Sequence, residues 1–99
     1  MRPVHHGDAS SAARALLAVA PAARPALIRT LFTEAEAADR HLRETGRIHP
    51  QFGNGTLMAV ARKRTLAVEP DFGDPDYSRC FEMVLRCLRR WSVTHSVHK

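Results

Sequence analysis

Apolar residues recur three and four apart in two long runs of this chain. They never alternate with a period of two over more than a few positions, so the pattern predicts helices and no strands. In the first run, starting near Pro25, Leu27, Ile28, Leu31, Ala35, Ala38 and Leu42 share a face, and Phe32 widens it. Arg24, Arg29, Arg40 and Arg43 lie mostly away from that stripe, and Glu36 stands four residues before Arg40, a spacing that supports a helix. Gly46 follows as a residue free to take the left-handed conformation that closes a helix. The second run has the clearer start: Asp74 as N-cap, Pro75 at the first helical position and Asp76 in the first turn. Behind it Tyr77, Cys80, Phe81, Val84, Leu85, Leu88 and Trp91 form a stripe, with Arg79, Glu82, Arg86, Arg89 and Arg90 on the other side, predicting a helix from 75 to about 95.

Two shorter helices complete the reading. Asp8 is the expected N-cap of an Ala-rich helix over 9–20, with Leu16 and Leu17 as its large contacts, and Pro21 ends it. Pro50, Gly53 and Gly55 keep 47–55 irregular; Asn54 or Thr56 then caps a helix from 57 to about 64, which closes on Arg62-Lys63-Arg64. A loop over 65–73 offers Leu66 and Phe72 as anchors. The fold expected is all-α: a small orthogonal or up-down bundle of two main and two short helices. It forms a single helical domain over 1–99, with loose ends at 1–7 and 96–99.

Composition narrows this further. Ninety-nine residues support one modest core. Hydrophobic residues make up 44%, but fifteen are Ala and only 22 are Leu, Ile, Val or Phe, so a few large side chains must carry the packing. No apolar stretch reaches the ~20 residues of a membrane span, because Arg24 and Arg29 interrupt the longest candidate. No secretory leader is visible either, so a cytoplasmic protein without membrane contact is expected.

Catalytic and metal chemistry find little support. There is no Gly-x-Ser-x-Gly elbow, and no Cys with a convincing His and Asn partner. Gly53-Asn54-Gly55-Thr56 lacks the Lys of a phosphate-binding loop. Cys80 and Cys87, seven apart on a helix, stand ~10.5 Å apart along its axis. That exceeds the ~7 Å limit for a disulfide, and they read as reduced core residues. His5, His6, His95 and His98 sit near the chain ends, and His41 with Glu44 lacks the second Glu-x-x-His pair of a di-iron bundle. The expectation is a non-enzymatic protein without metal or cofactor.

Charge directs attention to binding. Fifteen Lys and Arg against ten Asp and Glu make the net charge +5, and thirteen of the cations are Arg, whose planar fork suits phosphate or carboxylate. A GC-rich genome gives the same Arg and Ala content, so composition does not choose between the two. Arg62, Lys63 and Arg64, with Arg86, Arg89 and Arg90, are the candidate nucleic-acid contacts, non-specific and salt-dependent. The connection of about nine residues is far longer than the ~3–4 of a helix-turn-helix, which argues against base readout. Tyr77, Phe81, Leu88 and Trp91 are the candidate interface for a homo-oligomer, because the short Ala-rich helices offer little to cover them. The loop residues His49, Phe52, Gly53, Asn54 and Gly55 are either an ordered turn held by Ile48 and Phe52 or a recognition surface.

Three segments carry a family resemblance: Arg2-Pro3-Val4-His5-His6-Gly7-Asp8, Glu34-Ala35-Glu36-Ala37-Ala38-Asp39-Arg40, and Thr45-Gly46-Arg47 with His49-Pro50-Gln51-Phe52-Gly53-Asn54-Gly55-Thr56-Leu57-Met58-Ala59. They resemble a family of short alphaproteobacterial proteins of the Rhodobacterales with no assigned enzyme activity, over about residues 2–90. The His-Pro-x-Phe-Gly-Asn-Gly-Thr-Leu-Met block is its most specific part. The resemblance extends to small helical proteins of phage-derived gene transfer agent clusters. It implies a small-terminase-like accessory in DNA packaging and supplies no catalytic residues. The long helical hairpin of a small terminase is only partly visible, because the segment after Gly55 is short. The function expected is thus a helical adaptor binding a protein partner, non-specific DNA or both; the alternative is a regulatory module that binds protein only.

Overall fold

The computed structural model describes residues 1–95. Its elements are α1 (His6–Leu17), a 3-10 turn (Pro21–Ala23), α2 (Arg24–Thr45), α3 (Leu57–Ala61) and α4 (Pro75–His95), a small all-α bundle. Among the described residues the only β pairing is an isolated bridge between His49 and Gly53. Among the described residues no helix is long and apolar enough to cross a membrane.

The long helices begin and end where their capping residues place them. The Asp74 carboxylate accepts the Tyr77 N–H at 2.9 Å to open α4. Gly46, at φ 72°, closes α2 with its N–H on the Leu42 carbonyl. Leu16, Ile28, Leu31, Phe32, Leu57, Val60, Tyr77 and Val84 form the centre of the core. Ala9, Ala12, Ala13 and Ala15 are buried with them, and their small side chains let α1 lie close against α3 and α4.

Several expectations need correction. α1 begins at His6 rather than Ala9, because Asp8 stands inside the helix and reaches back, its Oδ2 accepting the His5 N–H at 3.0 Å. It stops at Leu17, three residues short of the expected end, as the chain turns toward Pro21. α3 ends at Ala61, so Arg62-Lys63-Arg64 follow the helix instead of closing it. Residues 1–7 are tied down: the Arg2 N–H donates to the Gly55 carbonyl at 3.0 Å, and the Met1 amino group pairs with Glu36 and Asp39 of α2. The other expected loose end, 96–99, lies outside the described residues.

Arg24 departs furthest from its amphipathic reading. Its side chain is buried, with Nε donating to the Leu16 carbonyl at 2.8 Å and the two terminal nitrogens to Asp76 at 2.7 and 3.1 Å. One guanidinium thereby joins the end of α1, the start of α2 and the start of α4. The hydrogen bond to Asp76 raises the Arg24 pKa, and the same bond lowers that of Asp76. The loop after α3 is fastened in a similar way. Arg14 Nε donates to the Ala67 carbonyl at 2.8 Å, the Ala67 N–H returns to the Arg14 carbonyl, and the Tyr77 hydroxyl donates to Glu69 at 3.1 Å.

Candidate binding surface

The 49–56 loop is an ordered, self-closed turn. His49 and Gly53 exchange backbone hydrogen bonds at 3.0 and 3.1 Å. His49 Nδ1 accepts the N–H groups of Gln51 and Phe52, both at 3.0 Å, and the imidazole stacks on the Phe52 ring with centroids 4.7 Å apart. His41 packs edge-on against His49 from α2. Asn54 Oδ1 takes the Thr56 N–H and hydroxyl, and Thr56 in turn caps α3 through the Ala59 N–H. At Gly55, φ is +89° and an added Cβ would stand 2.8 Å from the Asp39 backbone, so glycine is required there. Phe52 is half-buried as an anchor, but Ile48 is 62% exposed and anchors nothing.

Below this turn lies Asp8. It is 6% exposed, and its Oδ1 accepts the Met58 N–H at 2.9 Å while Oδ2 holds the His5 N–H. One carboxylate serves the N-termini of both α1 and α3. The loop's polar groups therefore look inward, at caps and at each other.

The basic residues divide by partner. Arg64 is engaged: its fork meets both Glu34 oxygens at 3.0 Å and the Val60 carbonyl at 3.0 Å. Arg62 and Lys63 are exposed at the end of α3, which packs on α1 and α2. Arg86, Arg89 and Arg90 are exposed on α4, with Arg86 held by Glu82 at 2.8 Å. Arg29, Arg89 and Arg90 have no carboxylate partner among the described residues.

The α4 stripe is largely covered from within the chain. Tyr77, expected at an interface, is 1% exposed and belongs to the core. Its phenol is pushed up to about 12 by burial and by the bond to Glu69. Phe81, Leu88 and Trp91 are half-buried against the core, Trp91 edge-on to Phe32 at 5.6 Å. Phe72, expected as an anchor, is 58% exposed; it lies over Tyr77 and Phe81 as an outer ring. Leu85 and Val93 remain exposed on α4.

What opens to solvent is a cleft of about 470 Å³ between α2 and α4. Pro25 and Ile28 form one wall, Met83, Cys87 and Trp91 form the other, and Arg29, Arg86, Arg90 and Thr94 rim it. A second hollow, lined by Arg86, Arg89, Arg90, Val93 and Thr94, continues along α4. Burial pushes the Cys87 thiol up despite Arg90 and Arg29 nearby, the opposite of the shift that activates a thiol. No group of three or more His, Cys, Asp or Glu among the described residues is placed to hold a metal ion.

The expected basic set thus becomes a different one. The structure gathers Arg86 and Arg90 with Arg29, gives Arg64 to Glu34, and leaves Arg62 and Lys63 just past the end of α3. Arg29 and Met83 were missed from sequence. The four-residue spacing of Met83, Cys87 and Trp91 was the available signal, but the α2 wall has none, since only packing sets two helices side by side. No curated protein and no solved structure matches the chain. A family model does match, from the tied start at Arg2 to Leu88 on the α4 stripe: over residues 2–88 the chain belongs to the family described as Domain of unknown function (DUF7742).

Proposed function

We propose that this protein is a non-enzymatic helical adaptor that works by docking another macromolecule on the arginine-rimmed cleft between α2 and α4. One observation carries the reading: three arginines, Arg29, Arg86 and Arg90, rim an open cleft floored by Met83, Cys87 and Trp91. Met83 and Trp91 are only half-buried, and a partner that covers their remaining apolar surface gains by doing so.

Protein suits this cleft better than DNA does, because a phosphate backbone gains nothing from an apolar floor. The packaging reading has its own support in the +5 charge and in Arg62 and Lys63, exposed just after α3. In that form the adaptor is the small-terminase-like accessory of a gene transfer agent, assembled as a homo-oligomer.

The test is the size of the particle that carries the chain in extracts of its own cell. An adaptor runs well above 11.0 kDa, and Arg29, Arg86 and Arg90 changed together to Glu return it to its own size. The same reversal at the exposed Arg2, Arg47 and Arg79 leaves the particle intact. Nuclease treatment that dissolves the particle assigns it to DNA. A chain running at its own mass in fresh extract refutes the adaptor reading.

A further inference from the structure

We infer that the occupant of the α2–α4 cleft is an acidic amphipathic helix of a protein partner. The inference rests on the adaptor reading and adds the chemistry of the partner. Met83 and Trp91 stand eight residues apart on α4, and the lining continues to Thr94, so the floor runs roughly 16 Å along the helix at 1.5 Å per residue. That length accepts about three turns of a second helix. On the α2 side the wall is a single turn, Pro25 to Arg29, so the row along α4 is what suits apolar side chains repeating three and four apart. The rim supplies the charge rule. Arg90 stands on one edge, one turn from Arg86, which Glu82 holds, and Arg29 stands on the other, so carboxylates on both flanks of the incoming helix would each meet a guanidinium.

Two other occupants fit less well. A second copy packed symmetrically through α4 would set Arg86 and Arg90 against their own equivalents. The acid beside them on α4, Glu82, is already bonded to Arg86. A DNA duplex would meet the arginines but leave the half-buried Met83 and Trp91 facing a polar backbone.

Trp91 is the chain's only tryptophan and lies in the cleft, so its emission reports occupancy. The probe is a synthetic peptide of about three helical turns with Leu at the inward positions and Glu on both flanks. Saturable change of Trp91 emission with this peptide, and at least about tenfold weaker binding of its Lys-for-Glu analogue, is the expected result. Reversing Arg29, Arg86 and Arg90 to Glu inverts that preference, with far-ultraviolet circular dichroism confirming that the variant is helical. Should the triple variant not fold, Arg90→Glu alone still lowers affinity for the Glu peptide about threefold or more. Equal binding of both peptides overturns the inference. So does a Trp91 signal that saturates with a short DNA duplex but not with the Glu peptide, or a dimer in light scattering that buries Trp91. If the Glu peptide fails while the native particle persists in extract, the partner's chemistry is wrong and the adaptor reading stands.

Discussion

Replacing Asp8 by Ala should destabilise the protein far more than a surface carboxylate normally would. The side chain is 6% exposed, and its two oxygens accept N–H groups at 2.9 and 3.0 Å from residues 50 positions ahead and three behind. Hydrogen bonds to a charged acceptor contribute roughly 1.5–3 kcal/mol each, and an abandoned, partly buried amide costs about 1–3 kcal/mol. Water reaching the opened site offsets part of this, so a loss of about 3 kcal/mol is expected, against a total stability of ~5–15 kcal/mol. Asp8→Asn keeps the shape but turns an NH2 group toward one of the two amides, so it should cost about half as much. Urea titration with an unchanged slope measures both values. Hydrogen exchange supplies the separate signature. α3 has only five residues and cannot hold itself, so the Met58 amide should exchange faster in Asp8→Ala even where the protein remains folded. A loss below about 1 kcal/mol, with Met58 still protected, would show that the carboxylate does not hold the two helices together.

Gly55→Ala should cost about 2 kcal/mol or more, from the left-handed φ and the 2.8 Å approach to the Asp39 backbone; a change within 0.5 kcal/mol in urea titration would show the loop relaxing freely. His49→Leu removes the acceptor of two backbone N–H groups and should destabilise the loop, while His49→Asn, which can cap the same turn, should recover part of the loss; equal stabilities would make the stacking on Phe52 the whole role of His49. The single tyrosine, Tyr77, should titrate toward about 12 in the folded protein, so stability is full below the ordinary value near 10 and falls as pH rises above it, followed by phenolate absorbance. At the acid end Asp76, held low by Arg24, gives stability that is present above the ordinary carboxylate range and lost as pH falls through it, which Asp76→Asn should flatten in an acid unfolding curve. Should DNA be the partner, Gln at Arg62 and Lys63 should flatten the log K against log salt slope by about two, and adding Arg64→Gln should change it little further, because Glu34 already holds Arg64.

The sequence alone determined the elements whose signals are local. The Asp74-Pro75-Asp76 start, the glycine at 46 and the three-and-four spacing of apolar residues each act within a few residues of backbone, so α2 and α4 were legible. The turn at 49–56 was legible only in part: Pro50, Gly53 and Gly55 mark it as irregular, but the expected anchor Ile48 is exposed, and His49 and Asn54 hold the turn instead. What the tertiary structure decided is which polar residues face inward. Arg24 reads as one more surface cation until α1 and α4 bring it the Leu16 carbonyl and Asp76. Asp8 reads as one helix cap until Met58 arrives from fifty residues away. Arg64 reads with Arg62 and Lys63 as one basic cluster until Glu34 claims it. The cleft has the same origin: Arg29 and Arg90 become one rim only when α2 and α4 lie side by side. Local backbone preferences are written in neighbouring residues, whereas the burial and pairing of a charge depend on partners that only long-range packing supplies.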